Sequence, residues 1–145
     1  MNFIQSNTQV GVVPLLADTN LLATIVAGTD VRGQLVKLTA GGKVETPSAA
    51  ADITLFSIDD VVNINAAKTA ATVMARPLSP HENHRLLVNA TTGGTGSTGA
   101  RLVHDTSAYG SVTVSAGASK FVVGYAEEDF VAGQYVLVRP CPHAE

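Results

Sequence analysis

Short apolar segments alternate with turns rich in Gly, Ser and Thr along most of the chain after Asp30. Their length of a few residues and their many β-branched side chains favour strands over helices. In chain order, the segments are 34–38, 53–58, 72–76, 85–88, 102–103, 112–114, 120–126 and 134–139. This pattern predicts an all-β fold, a compact β-barrel or β-sandwich in one β domain over residues 31–145.

Residues 1–30 have a different character, because Asp18 is the only charged side chain before Asp30. Pro14, which follows two valines, argues against a long helix there. We therefore predict an extended N-terminal arm and a first strand, with the apolar segment 21–26 as the strand candidate.

Little helix is expected in the rest of the chain. The alanines of segment 65–75 make it the one helical candidate, and its threonines weaken that interpretation.

Four features recur in the same order in the two halves of the chain. Leu-Val at 35–36 returns at 102–103, and the apolar-acidic segment 56–60 returns loosely at 123–129. The segment ending in Arg76-Pro77 returns in the one ending in Arg139-Pro140, and the Pro-His that follows at 80–81 returns at 142–143. Self-similarity at a nearly constant spacing indicates a degenerate two-copy repeat, with halves at about 31–82 and 99–145.

Charge and cysteine content narrow the function classes. Only 14% of the 145 residues are charged and the net charge is -3, which argues against a nucleic-acid partner because phosphate binding needs clustered Lys and Arg. A single cysteine excludes an intramolecular disulfide framework and a multi-Cys zinc site. No apolar run reaches the roughly 18 residues of a membrane helix, so no membrane partner is expected.

The sequence motifs that could carry chemistry are incomplete. The glycine-rich segment 93–99 lacks the Lys-Ser/Thr of a phosphate-binding loop and reads as a flexible surface loop. His81 and His84 are three residues apart, whereas the HExxH zinc motif needs a spacing of four. We therefore interpret this segment as a solvated loop. Cys141 stands in a Pro-flanked tail, a poor platform for a nucleophile.

The acidic runs 59–60 and 127–129 occupy equivalent places in the two halves, and we interpret them as solvated turns. They lack the alternating oxygen ligands of a calcium loop. We therefore predict no catalytic residue, no cofactor and no metal, and a protein that is not an enzyme.

Four glycine-containing motifs surround the predicted turns, namely Arg32-Gly33-Gln34-Leu35-Val36, Gly42-Lys43-Val44, Val123-Gly124-Tyr125-Ala126 and Ala132-Gly133-Gln134-Tyr135-Val136. In these motifs the chain resembles the small decoration, or cement, proteins of tailed bacteriophage heads. The resemblance implies a β-barrel or sandwich, commonly a homotrimer, on the outer surface of the virion capsid. The implied partner is the major capsid protein, whose subunits it would clamp together.

A charge-poor surface costs little to desolvate and suits an extended interface. We predict interface residues in the arm and in the C-terminal segment, namely Asn2, Phe3, Ile4, Val10, Val12, Val13, Arg139 and Pro140.

Three alternatives stay open at this stage. Another virion component, from the tail or the head-tail connector, would show a ring-like mass instead of a trimeric one. A carbohydrate-binding β-sandwich would need an exposed aromatic platform, and the chain has three Tyr, four Phe and no Trp. A small hydrolase would need a His or an acidic pair to converge in a pocket, with His81 and His84 as candidates.

Overall fold

Strands account for 47% and helix for 7% of the computed structural model, which describes residues 12–49, 52–91, 93–105, 110–115 and 121–144. In the first half, the elements are β1 (Val13–Leu16), α1 (Thr19–Val26), β2 (Leu35–Leu38), β3 (Val44–Glu45), β4 (Phe56–Ile64) and β5 (Ala71–Pro77). In the second half they are β6 (His84–Leu87), β7 (Arg101–His104), β8 (Val112–Val114), β9 (Phe121–Ala126) and β10 (Tyr135–Ala144). The predicted all-β class is confirmed.

The two halves form two five-stranded sheets with the same topology. The strand order is β1-β5-β4-β2-β3 in the first sheet and β6-β10-β9-β7-β8 in the second, so that each strand corresponds to the one five places later. All strand pairs within the sheets are antiparallel, and both sheets curl into half-barrels. We call the two units repeat 1 and repeat 2; the short segment 78–83 connects them.

Backbone hydrogen bonds fix which residues of the two repeats correspond. The Gly33 amide donates to the Ile58 carbonyl, and the Gly99 amide donates to the Ala126 carbonyl. Likewise, the Asp18 amide donates to the Val44 carbonyl, and the Asn89 amide donates to the Val112 carbonyl. The strand registers extend the correspondence to Val13 with His84, Leu16 with Leu87, Leu35 with Arg101, Ser57 with Tyr125, and Thr72 with Tyr135.

The sequence match of Leu35-Val36 with Leu102-Val103 is wrong by one residue, because the strand registers match Leu35 with Arg101 and Val36 with Leu102. The repeat is also longer than the sequence pattern indicates. It includes β1 in repeat 1 and β6 in repeat 2, which lie before the predicted starts at about 31 and 99. The sequences Val13-Pro14-Leu15-Leu16 and His84-Arg85-Leu86-Leu87 share only the final leucine pair, too little for a sequence comparison to detect.

Each repeat encloses its own core, and one residue crosses between them. Repeat 1 buries apolar side chains of β1 to β5 against Leu21 and Ile25 of α1. The repeat 2 core gathers Leu86, Val136 and their neighbours, and it also contains Leu35, which is fully buried although it belongs to β2 of repeat 1. Leu35 therefore joins the two repeats through the hydrophobic effect.

The apolar segment 21–26 is helical, so the strand expected there is wrong. The Asp18 carboxylate accepts a hydrogen bond from the Leu21 amide at 2.8 Å and caps the N-terminus of α1. Leu21 and Ile25, one helical turn apart, are buried, and Gly28 follows the helix with a φ of 89°. The corresponding segment of repeat 2 holds the glycines of 93–99, which disfavour a helix.

Segment 65–75 is not helical either; it forms the turn between β4 and β5 and most of β5. The Asn65 side-chain oxygen accepts hydrogen bonds from the amides of Thr69 and Ala70, at 2.7 and 3.1 Å. This side-chain bonding stabilises the turn, and the β-branched Thr72 and Val73 then continue as a strand.

Candidate functional site

A cleft of about 420 Å³ lies where repeat 1 meets repeat 2. Its walls come from the loop before β2, from β4 and β5, and from the start of β6 and β10. The lining residues are Arg32, Gly33, Ser57, Ile58, Asp59, Arg76, Asn83, His84, Arg85 and Tyr135.

A buried hydrogen bond links the repeats at the base of this cleft. Ser57 Oγ lies 2.7 Å from Nδ1 of His84, and both residues are only 3% exposed. Among the described residues, Nε2 of His84 has no hydrogen-bond partner. The solvated loop expected at His84 is thus wrong, because this residue begins β6 and packs against repeat 1; His81 is exposed.

The described cleft residues lack the arrangement of a Ser-His-Asp triad. The serine contacts Nδ1, and no carboxylate orients the other ring nitrogen, as the base of a catalytic triad requires. The Asp59 carboxylate is instead engaged by Arg76 Nη2 at 2.6 Å. The described residues also contain no group of three His, Cys, Asp or Glu side chains suited to a metal ion.

The buried imidazole makes stability depend on pH. Burial lowers the pKa of His84, and the nearby Arg76 charge lowers it further. The unfolded chain therefore binds the proton first as the pH falls. We expect the free energy of unfolding to be constant above about pH 7 and to decrease below about pH 6.5, the ordinary histidine pKa, by up to about 1.4 kcal/mol per pH unit until His84 itself titrates.

Urea unfolding at several pH values between 5 and 8 measures this dependence. His84→Gln should remove the decrease, whereas His81→Gln, at an exposed position, should keep it. An equal pH dependence in the wild type and in His84→Gln would contradict the assignment to His84. The lowered pKa values of Asp30 and Asp52 act at more acidic pH, outside this window.

One acidic residue of each run pairs with a repeated arginine. The run 59–60 lies within β4, so the turn expected there is wrong, whereas the run 127–129 does lie in the partly exposed connection between β9 and β10. Asp59 binds Arg76 in repeat 1, and at the corresponding place in repeat 2 Glu127 binds Arg139 through Nε. In each repeat the pair joins an acidic position to the strand that contains Arg-Pro. Both pairs are partly exposed, so each contributes about 1 kcal/mol or less to stability.

Of the predicted interface residues, the structure describes four. Asn2, Phe3, Ile4 and Val10 lie outside the described residues. Val12 and Val13 are half-buried at the start of β1, whose register places Val13 opposite Ala75. Arg139 is exposed, whereas Pro140 is buried opposite Gly124, so it presents little surface to a partner.

The C-terminal segment is a strand, not a tail. Its exposed Cys141 lies in β10, at the irregularity in the pairing with β9 between Pro140 and His143. The glycine-rich segment 93–99 is mostly an exposed loop, although Gly93 is buried and Gly96 exchanges two backbone hydrogen bonds with Phe130.

Several large apolar side chains are exposed on the described surface. Ten large ones are more than a third exposed: Leu16, Val26, Leu38, Ile53, Leu55, Val62, Ile64, Tyr125, Val131 and Tyr135. None of these ten is among the interface residues predicted from sequence, because exposure depends on how the repeats pack. Ser57 was also missed, since a lone serine in a strand has no distinguishing pattern.

No protein-family model matches this chain, and no curated protein is detectably similar to it. Within the described residues, no helix is long and apolar enough to cross a membrane.

Proposed function

We propose that this chain is a viral structural protein, a capsid decoration protein that binds the outside of a tailed-phage head between major capsid subunits. The observation that carries the proposal is the set of ten exposed apolar side chains on a chain with only 14% charged residues. Such a surface loses little hydration energy when it is covered, and it gains from the burial of apolar area. The sequence resemblance to cement proteins and the all-β fold support the same function.

The proposed mechanism is passive binding. Each subunit would contact more than one capsid subunit, so that several contacts must break before the shell opens at that point. Contacts that act together raise the total affinity far above that of any one of them. A homotrimer, which the resemblance implies, would multiply the contacts again.

Binding to capsid shells tests the proposal. Shells assembled from the major capsid protein encoded in the same genome are mixed with the purified chain, sedimented and then heated. We expect saturable co-sedimentation and a higher temperature of shell opening, because binding to the closed shell stabilises it. A chain that neither sediments with the shells nor changes their opening temperature would contradict the proposal.

Deletion of residues 2–11 tests the arm in the same assay. The deletion stops before β1, which begins at Val13, so the sheet is left intact. We expect at least tenfold weaker shell binding with an unchanged circular dichroism spectrum. Undiminished binding would refute the role of the arm and leave the rest of the proposal in place.

A further inference from the structure

The contact between the two repeats joins two different surfaces. The surface on repeat 1, which we call the rear face, consists of Arg32, Gly33, Gln34, Leu35 and Ser57. The surface on repeat 2, the front face, consists of His84, Arg85, Leu87, Gly110 and Tyr135. Hydrogen bonds join them: the Leu35 amide to the Gly110 carbonyl at 2.7 Å, the Leu87 amide to the Gly33 carbonyl at 3.0 Å, and the Tyr135 hydroxyl to the Arg32 carbonyl at 3.1 Å.

Because the repeats share one topology, each face has a counterpart on the other repeat. The rear face of repeat 2 consists of Thr98, Gly99, Ala100, Arg101 and Tyr125. The front face of repeat 1 consists of Val13, Pro14, Leu16, Gly42 and Thr72. These assignments follow from the strand registers and from the matched hydrogen bonds described above.

At several positions the counterpart is more exposed than the original. Leu35 and Ser57 are 0% and 3% exposed, whereas their counterparts Arg101 and Tyr125 are exposed, Tyr125 by 37%. On the front side, the counterpart of half-buried Leu87 is Leu16, which is 46% exposed.

The corresponding glycines of the two front faces, Gly110 and Gly42, also differ in burial. Gly110 is buried against the Gln34 side chain, whereas Gly42 is exposed; both have a positive φ, so the backbone shape is retained.

We infer that the open rear face of repeat 2 binds the open front face of repeat 1 in a second copy of the chain, by the geometry that joins the repeats within one chain. Such a contact is head-to-tail, because the two surfaces differ. A head-to-tail contact leaves one face free at each end, so association continues until a ring closes or, if the rotation does not close, as an open filament.

The side chains at the two contacts are compatible in size. Within the chain, small Ser57 meets large His84; between copies, large Tyr125 would meet the smaller Val13. The main difference is Arg101 in place of Leu35, which makes the contact between copies more polar. We therefore expect it to be weaker than the contact between repeats within one chain.

The inference goes beyond the proposed function and does not depend on it. A closed assembly that fails to bind shells would support the contact and refute the function. A monomer that binds shells would do the opposite. In the trimer of the proposed function, the ring would contain six repeats.

Two charge substitutions and their mixture test the inference. Leu16→Arg blocks the front face of repeat 1, and Tyr125→Arg blocks the rear face of repeat 2. Native mass spectrometry of the wild type should show a multiple of the 14.9 kDa chain, whereas each variant alone should fall to 14.9 kDa. An equimolar mixture should give a species of twice that mass and nothing larger, because each variant retains one intact face.

A matched control is Val62→Arg, which places the same charge at a position that is 52% exposed and belongs to neither face. It should keep the mass of the wild type. A monomeric wild type, variants that keep the wild-type mass, or a mixture without the dimer would each overturn the inference. The inference would also be overturned if the full chain stayed monomeric and assembled only after deletion of residues 2–11, because the arm would then occupy the front face. Circular dichroism of each variant verifies that it is folded.

Discussion

Leu35→Ala is expected to lower the free energy of unfolding by about 2–5 kcal/mol. The Leu35 side chain is fully buried and belongs to the core of repeat 2, although its backbone lies in a strand of repeat 1. Its truncation therefore leaves a cavity at the contact between the repeats. Urea denaturation followed by circular dichroism measures the change.

Leu38→Ala is the matched control for this substitution. Leu38 lies in the same strand and is 42% exposed, so we expect a loss below about 1 kcal/mol. Equal losses at the two positions would show that Leu35 has no special role between the repeats.

Gly124→Ala should destabilise the protein as strongly as Leu35→Ala. We expect it to lower the free energy of unfolding by about 3 kcal/mol or more, because overpacking against rigid atoms is costly. Gly124 lies in β9 opposite Pro140 of β10. A Cβ atom there would lie 2.2 Å from the Arg139 carbonyl oxygen and 2.9 Å from the Pro140 Cα. Both are backbone atoms, so the two strands would have to separate.

Gly41→Ala provides the comparison for Gly124→Ala. Its nearest neighbour would be the Thr39 hydroxyl at 3.8 Å, an ordinary contact, and its φ is not positive. The thermal midpoint of Gly41→Ala should stay within a few degrees of the wild type. A Gly124→Ala protein with a similar midpoint would show that β9 and β10 are not packed as closely as described.

The strands were predictable from sequence because β-branched residues cluster in short segments between glycines. The helix α1 was missed because its apolar segment is as short as a strand, and the decisive feature is a single capping residue, Asp18. The helix predicted as a candidate in segment 65–75 is wrong, although its alanines favour one. The Asn65 side chain accepts hydrogen bonds from the backbone and stabilises a turn instead.

The candidate site was less predictable than the fold. The ion pairs of Asp59 with Arg76 and of Glu127 with Arg139 could have been anticipated, since acid and arginine recur together in both halves. The pair of Ser57 and His84 could not, because the corresponding residues, Tyr125 and Val13, share no chemistry with them. Contacts between the repeats depend on how two folded units meet, which no local pattern records.

The connection of the repeats by segment 78–83 has a consequence for dilution. A short link connects the rear face of repeat 1 to the front face of repeat 2. The effective concentration of one face near the other is therefore about millimolar. The cleft and its Ser57–His84 hydrogen bond therefore persist however far the protein is diluted. Covalent linkage makes the association of these two surfaces part of folding, with no entropy loss from bringing separate chains together.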